Sequence, residues 1–363
     1  MALRTTRGDP GGPAKGRGAP SNLEGRYESV RRETFDDGWA RDEEALPPIR
    51  TEVTHETAKS IIARNDSPDI SFDQSINPYR GCEHGCVYCY ARPTHAYLGL
   101  SPGLDFETRI FAKTNAAELL RNELAAPGYR PTPIALGANT DPYQPVEREL
   151  RITRSVLEVL AECEHPFTIV TKNALVERDI DLVAPMAARR MAHAYVSVTN
   201  LDASLARKLE PRASAPYRRL DAIRRLVDAG IPVGVIVAPL IPFVTDRYLE
   251  EILERASAAG ATSAGYILLR LPFEVAPLFK EWLATHYPLK ADHVMSLLRQ
   301  TRSGKDYDSG FGVRQTGTGS FAELIGKRFD LACHRLGLHR RSREPLDTTR
   351  FRPPRSAPQL PLF

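Results

Sequence analysis

Between residues 75 and 287 the chain repeats one unit. A short run of β-branched and small apolar residues is followed by a polar turn, then by a stretch in which apolar residues recur every three to four positions. The apolar runs at 133–138, 167–172, 194–199, 232–238 and 264–270 have strand length and are nearly continuous, as strands covered on both faces are. A further strand is expected to end near Ile76, just ahead of Asn77-Pro-Tyr79. Helical periodicity fills 115–124, 153–163, 220–229 and 248–259, and Asp228-Ala-Gly-Ile-Pro232 supplies a glycine stop and a proline before the next strand. Six such units predict an α/β fold, a parallel sheet with right-handed crossovers and helices outside. Six are too few for a closed eight-fold barrel, so the expected architecture is a partial (β/α)6 TIM-like barrel. Ligands then belong at the C-terminal ends of the strands.

The flanks divide the chain further. Residues 1–50 are expected to be a mostly disordered N-terminal segment, because the Gly- and Pro-rich first twenty residues cannot bury a core. Residues 51–287 form the barrel, and 288–338 a helical extension with helices at 291–301 and 320–336 around a Gly-rich loop. Residues 339–363 read as a flexible, basic Pro/Arg-rich tail. At 42% hydrophobic and 26% charged residues, the chain can bury a large core. Its 49 Lys and Arg exceed its 45 Asp and Glu by four, and that surplus lies in 339–363, where six Arg meet only Glu344 and Asp347. The body is balanced, which argues against a protein coated in positive charge but leaves room for a local basic groove. With no run of 18 apolar residues and no apolar core near Met1, no membrane partner is expected, and the expected location is cytoplasmic.

Five cysteines are an odd number, and Cys82, Cys86 and Cys89 fall within eight residues, which disfavours a disulfide framework. Their C-x3-C-x2-C spacing follows a predicted strand directly. Three thiolates on one short loop can hold three irons of a cubane and leave the fourth open to a substrate amine and carboxylate. Gly81 and Gly85 let the backbone wrap closely, and Tyr88 stands where an aromatic can cover an adenine. The alternatives are a redox pair or a zinc site completed by His84 or His95. The irregular spacing and the lack of a second cysteine pair favour the cluster.

This loop, on a six-fold partial barrel, resembles the radical S-adenosylmethionine (SAM) superfamily. Asn77-Pro-Tyr-Arg-Gly-Cys82, Cys89-Tyr-Ala-Arg92 and Thr140-Asp-Pro-Tyr-Gln-Pro-Val-Glu147 are similar to its spore photoproduct lyase-like branch, over roughly residues 70–338. The resemblance implies a [4Fe-4S] cluster on Cys82, Cys86 and Cys89, SAM as second cofactor and an external electron donor. It further implies reductive cleavage of SAM to methionine and a 5′-deoxyadenosyl radical, which takes a hydrogen from the substrate. A DNA lesion is the expected substrate. RNA or peptide modification, and a non-enzymatic iron–sulfur protein, stand as alternatives.

Polar residues at strand ends are the remaining candidates for cofactor binding. Asn139, Thr140 and Asp141 follow the second strand, where the family binds the cofactor's amino and ribose groups; the alternative is a turn in which Asp141 bonds its own loop. Lys172 could neutralise the methionyl carboxylate or simply cap a helix. Ser197, Thr199 and Asn200 end the fourth strand with the same two options. Arg270 lies in an apolar run, so it either binds a substrate or cofactor anion or pairs with Glu274. The resembling lyases use a further cysteine as hydrogen donor; Cys333 is the candidate here, against packing in the core, while Cys163 belongs to the opposite end of the barrel. Arg218, Arg219, Arg224 and Arg225 read as a solvated helix face.

The sequence closes on Gln359-Leu-Pro-Leu-Phe363 after an Arg/Pro-rich stretch. This is similar to the peptide by which bacterial polymerases and repair proteins dock on the sliding clamp. In that reading Gln359 bonds the pocket rim, and Leu360, Leu362 and Phe363 are the partner-binding residues, Leu362 and Phe363 filling a hydrophobic groove. The alternative is a tail folded onto the chain's own surface.

Overall fold

Six parallel strands, each followed by helix, carry the fold, and their apolar runs fall where the periodicity puts them. The structure is a computed structural model that describes residues 15–28, 49–340 and 345–354. Its strands are β1 (Glu52–Glu56), β2 (Ile62–Arg64), β3 (Gln74–Ile76), β4 (Tyr79–Arg80), β5 (Arg109–Lys113), β6 (Ile134–Leu136), β7 (Phe167–Thr171), β8 (Ala192–Ser197), β9 (Val233–Leu240) and β10 (Ser263–Leu268). The main sheet has the order β10-β9-β8-β7-β6-β3-β2, parallel from β3 to β10, with β2 antiparallel on β3. It stays open, with β10 and β2 at its edges, as a partial barrel does. A small second sheet, β1-β5-β4, was not legible in the pattern; β1 is nearly all exposed and β4 is two residues long.

Every crossover is helical. Ala116–Leu124, Ile152–Glu162, Pro216–Asp228 and Leu249–Ala258 match the predicted helices to within four residues at either end. The core forms between sheet and helices, with Ile169, Ala194, Val196, Val235 and Val237 against Val156, Leu160, Ile223 and Ile252. Val170, Tyr195 and Ile236, on the other face of their strands, are only partly buried, so the concave side is less filled than continuous apolar runs imply.

The extension is present as two helices, Ala291–Gln300 and Gly319–Leu336. The second lies along Leu249–Ala258, with Arg328 on Glu250 and Arg335 on Glu254, and His339 bridges to Ser263 beside β10. Two flank expectations change. Residues 15–28 are placed against the barrel, and their Gly-rich composition is what permits it. In the tail, Phe351 packs on Tyr129 and His165 at ring distances of 5.5 and 5.2 Å, so 345–354 is anchored and not a free linker. Gln359, Leu360, Leu362 and Phe363 lie outside the described residues. Among the described residues no helix is long and apolar enough to cross a membrane.

Three imidazoles make the fold acid-sensitive. Burial lowers His95, His165 and His193 to about 4. The unfolded imidazoles titrate near 6.5, so between those values the unfolded chain binds more protons and stability falls as pH drops. Each should cost about 2 kcal/mol at about pH 5 relative to neutrality. Thermal melts at neutral pH and at about pH 5 should show a clear loss of stability on the acid side, smaller in His193→Gln; a flat profile would contradict this assignment.

Candidate active site

The cysteine loop leaves β4 through Gly81 at φ +78°, where an added Cβ would stand 2.9 Å from the carbonyl oxygen of Phe106. Gly85, at φ +66°, repeats the demand: its Cβ would meet the Glu107 carboxylate at 2.7 Å. Only glycine meets both requirements at either position. Cys82 N–H donates to Phe106 O at 2.9 Å and Cys89 N–H to Cys86 O at 3.1 Å, which closes the loop on itself. Cys82 and Cys86 are buried and Cys89 is partly so.

Two fully buried carboxylate–guanidinium pairs hold this loop from two sides. Glu107 pairs with Arg92, whose Nε donates to Cys86 O at 2.8 Å and whose Nη1 donates to Pro102 O and Gly103 O. Glu210 pairs with Arg219 and accepts from the hydroxyls of Tyr88 and Thr199. Arg219 also donates to Ser214 O at 2.7 Å and to Ser197 O at 3.1 Å, the end of β8. Burial by itself would raise the Glu210 carboxyl, but Arg219 and then Lys172 outweigh it and hold it down at about 2. Tyr88 is therefore fixed by its hydroxyl beneath the mouth of the barrel.

The Thr140–Glu147 segment acts as a third clamp. Thr140 Oγ1 donates to Tyr79 O at 2.9 Å. Asp141 accepts from Thr171 Oγ1 and from Lys172 N, both at 2.7 Å, and from Tyr143 N at 2.9 Å, and it lies 3.4 Å from His84 Nδ1. Gln144, fully buried, accepts from Glu83 N at 2.9 Å and donates to Gly81 O at 3.2 Å. The polar atoms of Thr140 and Asp141 thus face the cysteine loop and the end of β7, and the turn reading of Asp141 holds within that role. Asn139 is partly exposed, and its side chain makes no hydrogen bond among the described residues.

Lys172 stands at the end of β7, its ammonium donating to Ser197 Oγ at 2.6 Å and Ala238 O at 3.2 Å, 4.0 Å from Glu210. Thr199 Oγ1, which donates to Glu210, also lies 2.9 Å from Ala238 O. Lys172, Ser197, Thr199 and Tyr88 are thus brought together beside the thiols. Arg270 is not paired with Glu274, which takes Arg26 at 2.7 Å; its guanidinium lies 5.1 Å from the Tyr90 ring centre, and its buried Nε has no partner. Cys333 is placed elsewhere. It packs in the core with Ile325 and Phe329, outside the cysteine-loop cluster, because its position on the last helix faces the sheet's outer layer. Cys163 is likewise a core residue.

The donor set fits a cluster better than a zinc ion. Burial pushes the Cys82 thiol up, and nearby Asp141, Cys86 and Cys89 push it further, so the three thiols lie within electrostatic reach of one another in a place that wants positive charge. Among the described residues no three His, Cys, Asp or Glu side chains converge on a single ion. His84 sits between Asp141 and Asn173, and His95 Nε2 meets Arg109 O at 3.1 Å, while the Nδ1 atoms of both rings make no hydrogen bond.

The sequence reading assigned no role in the site to Glu107, Glu210 or Arg219, and it held Arg92 and Gln144 only as members of family-like motifs. Arg219 left a signal, since it falls on the buried stripe of its helix with Pro216, Leu220, Ile223 and Leu226, against the solvated face assigned to it.

Comparison with known proteins agrees with this geometry. A family model for the radical SAM superfamily matches residues 76–256. An uncharacterized protein of Mycobacterium tuberculosis is 38% identical over 233 residues, 64% of this chain and 68% of that protein. One from Methanocaldococcus jannaschii is 26% identical over 213 residues, covering 59% and 76%. Spore photoproduct lyase complexed with dinucleoside spore photoproduct superposes with a TM-score of 0.55 at 16% identity, over 79% of this chain and 81% of that one. A variant of that lyase, matching equally well with a TM-score of 0.55, contains AdoMet and the same dinucleoside.

Arg219→Leu would leave Glu210 buried with only Lys172, 4.0 Å away, to offset its charge, a loss of about 3 kcal/mol in chemical denaturation. Arg224→Leu, on the exposed side of the same helix, should change stability by no more than about 0.5 kcal/mol. Equal effects would remove Arg219 from the support of the site.

Proposed function

The chain belongs to the radical SAM superfamily and is an enzyme of that class, and from this premise we propose that it acts on a damaged base in nucleic acid, with DNA as the favoured form. In this reading Cys82, Cys86 and Cys89 hold a [4Fe-4S] cluster and SAM binds beside it at the mouth of the barrel. The observation that carries the reading is the buried thiol triad set at the C-terminal end of a parallel half-barrel, with Lys172 beside it. When bound, the cluster supplies the electron that splits SAM homolytically, the source of a carbon radical able to take a hydrogen from substrate.

The chain's own residues orient and seal. An ammonium has three N–H donors; Lys172 uses one each on Ser197 and Ala238, which leaves a third for the methionyl carboxylate. Glu210, held ionised by Arg219, stands 4.0 Å from the Lys172 ammonium and fixes Tyr88. Asn139 offers an amide at the end of β6 for the polar part of SAM. Burial of the thiols keeps water and stray hydrogen donors away from a reactive intermediate.

The nucleic-acid part rests on the mouth of the barrel near β10. Arg302 is buried and bonded only to carbonyls, those of Val313, Leu268 and Leu269, and burial followed by the charge of Arg270 lowers it to about 10. Two neighbouring cations without a carboxylate partner among the described residues suit a phosphate. Phe243 and Phe273 are exposed in the loops after β9 and β10, both with positive φ; Arg26 lies 3.9 Å from the Phe273 ring centre and His293 stands edge-on to Phe243 at 4.3 Å, so each ring keeps only part of its surface for a base.

Anaerobic reconstitution should give about four irons per chain and, on one-electron reduction with SAM, 5′-deoxyadenosine. Both should be lost in Cys82→Ala, Cys86→Ala and Cys89→Ala and kept in Cys163→Ala and Cys333→Ala. Cluster formation without any SAM cleavage would favour a non-enzymatic protein. Binding to a labelled single-stranded oligonucleotide should weaken with salt, and Arg270→Gln should reduce that slope by about 1 while SAM cleavage persists. An unchanged slope would take Arg270 out of the substrate path.

A further inference from the structure

The N-terminal residues 16–28 reach Glu107, beside the cysteine loop, from about ninety positions away in sequence. Gly18 N–H donates to Glu107 Oε2 at 2.9 Å and Ala19 N–H to Glu107 Oε1 at 2.7 Å. Arg17 donates to Glu107 O at 3.0 Å, to Ile49 O at 2.6 Å and to Thr51 Oγ1 at 3.0 Å, and Thr51 in turn bonds Glu83 of the cysteine loop. A Cβ on Gly18 would stand 1.7 Å from the carbonyl oxygen of Gly85, so backbone lies on backbone next to Cys86. Farther along, Asn22 exchanges two hydrogen bonds with Asp105, and Arg26 pairs with Glu274 over the face of Phe273. Residues 17–20 are buried, as ordered structure is and a disordered leader is not.

Glu107 is the junction. One carboxylate receives the two N–H groups of this segment and the guanidinium of Arg92, and Arg92 carries Cys86 O. Displacing the segment removes two charge-assisted bonds from a buried carboxylate and uncovers Gly85 and its neighbour. We propose that residues 17–20 are a wall of the cysteine-loop site, fastened by Glu107 as a positioning residue, which holds the loop in its ligand-ready form and shields Cys86 from solvent and oxidants. Its function rests on the triad being the cluster's ligands, as argued above; its geometry does not.

The test uses the full-length chain, metal-free and reduced, with iodoacetamide labelling followed at each cysteine by mass spectrometry. Gly18→Val puts side-chain atoms where Gly85 O stands and lifts the segment. Labelling of Cys86 should rise about tenfold or more, as expected for losing the two bonds to Glu107, while Cys163 and Cys333 stay protected as gauges of the core. Unchanged labelling of Cys86 overturns the proposal. Should all five cysteines open together, Arg17→Gln decides on the same criterion, since it removes three side-chain bonds without adding bulk. In reconstituted protein both variants should lose the cluster's visible absorption in air faster than the parent, and equal loss overturns the shielding role. A chain that takes up no cluster, yet shows Cys86 guarded by Gly18, defeats the cluster reading and leaves the wall standing.

Discussion

Two buried carboxylate–guanidinium pairs are the constraint on which the site depends. The cysteine loop packs Val87 and Tyr88 into an apolar cluster with Leu205, Leu209, Leu269 and Phe279, but apolar contact alone does not fix its carbonyl and hydroxyl groups. Glu107–Arg92 and Glu210–Arg219 supply the missing rigidity, one through the carbonyl of Cys86 and the other through the hydroxyl of Tyr88. Such pairs add little net stability compared with apolar packing, but breaking one partner is severe, so they specify one arrangement and penalise others. Their placement explains why elements far apart in sequence converge. Glu107 gathers residues 17–19 and 92, and Glu210 gathers 88, 172, 199 and 219.

The charge pattern takes on meaning from these pairs. The body is neutral because its buried cations meet buried anions, and the cations that break that rule are informative. Arg302 donates its hydrogen bonds to carbonyls, with Asp308 in electrostatic reach, and Arg270 lies over Tyr90, both at the end of β10, where a partial barrel leaves its mouth open. Lys172 is the intermediate case: 4.0 Å from Glu210, hydrogen-bonded to Ser197 and Ala238, with a donor left over. Cations thus stand on both the thiol side of the mouth and its β10 edge.

The six-unit fold was legible because parallel strands covered by helices carry near-continuous apolar runs, and their boundaries came out within three residues. The β1-β5-β4 sheet was not, because an exposed strand such as Glu52–Glu56 has no hydrophobic signature. Within the site, the cysteine spacing and the strand-end polar residues were visible, yet the Thr140–Glu147 segment did something the sequence could not specify. Its Asp141 and Gln144 hold the cysteine loop, and only the fold brings Gln144 to Gly81 O. Charged residues such as Glu107, Arg92 and Arg219 look like surface until their partners are known. The Gly-rich start misled for a physical reason: glycine both weakens a chain's order and permits the closest backbone contact, and at Gly18 the second property decides.

The central claim is that the thiolates of Cys82, Cys86 and Cys89, two buried and one partly so, hold a cluster with one iron left for SAM. Electron paramagnetic resonance of the anaerobically reduced protein, recorded without and with SAM bearing an isotope-labelled amino nitrogen, tests it most directly. The account predicts a cluster signal that changes when SAM is added and shows hyperfine coupling to the labelled nitrogen. An intact cluster whose signal is indifferent to SAM, with no such coupling, would contradict it.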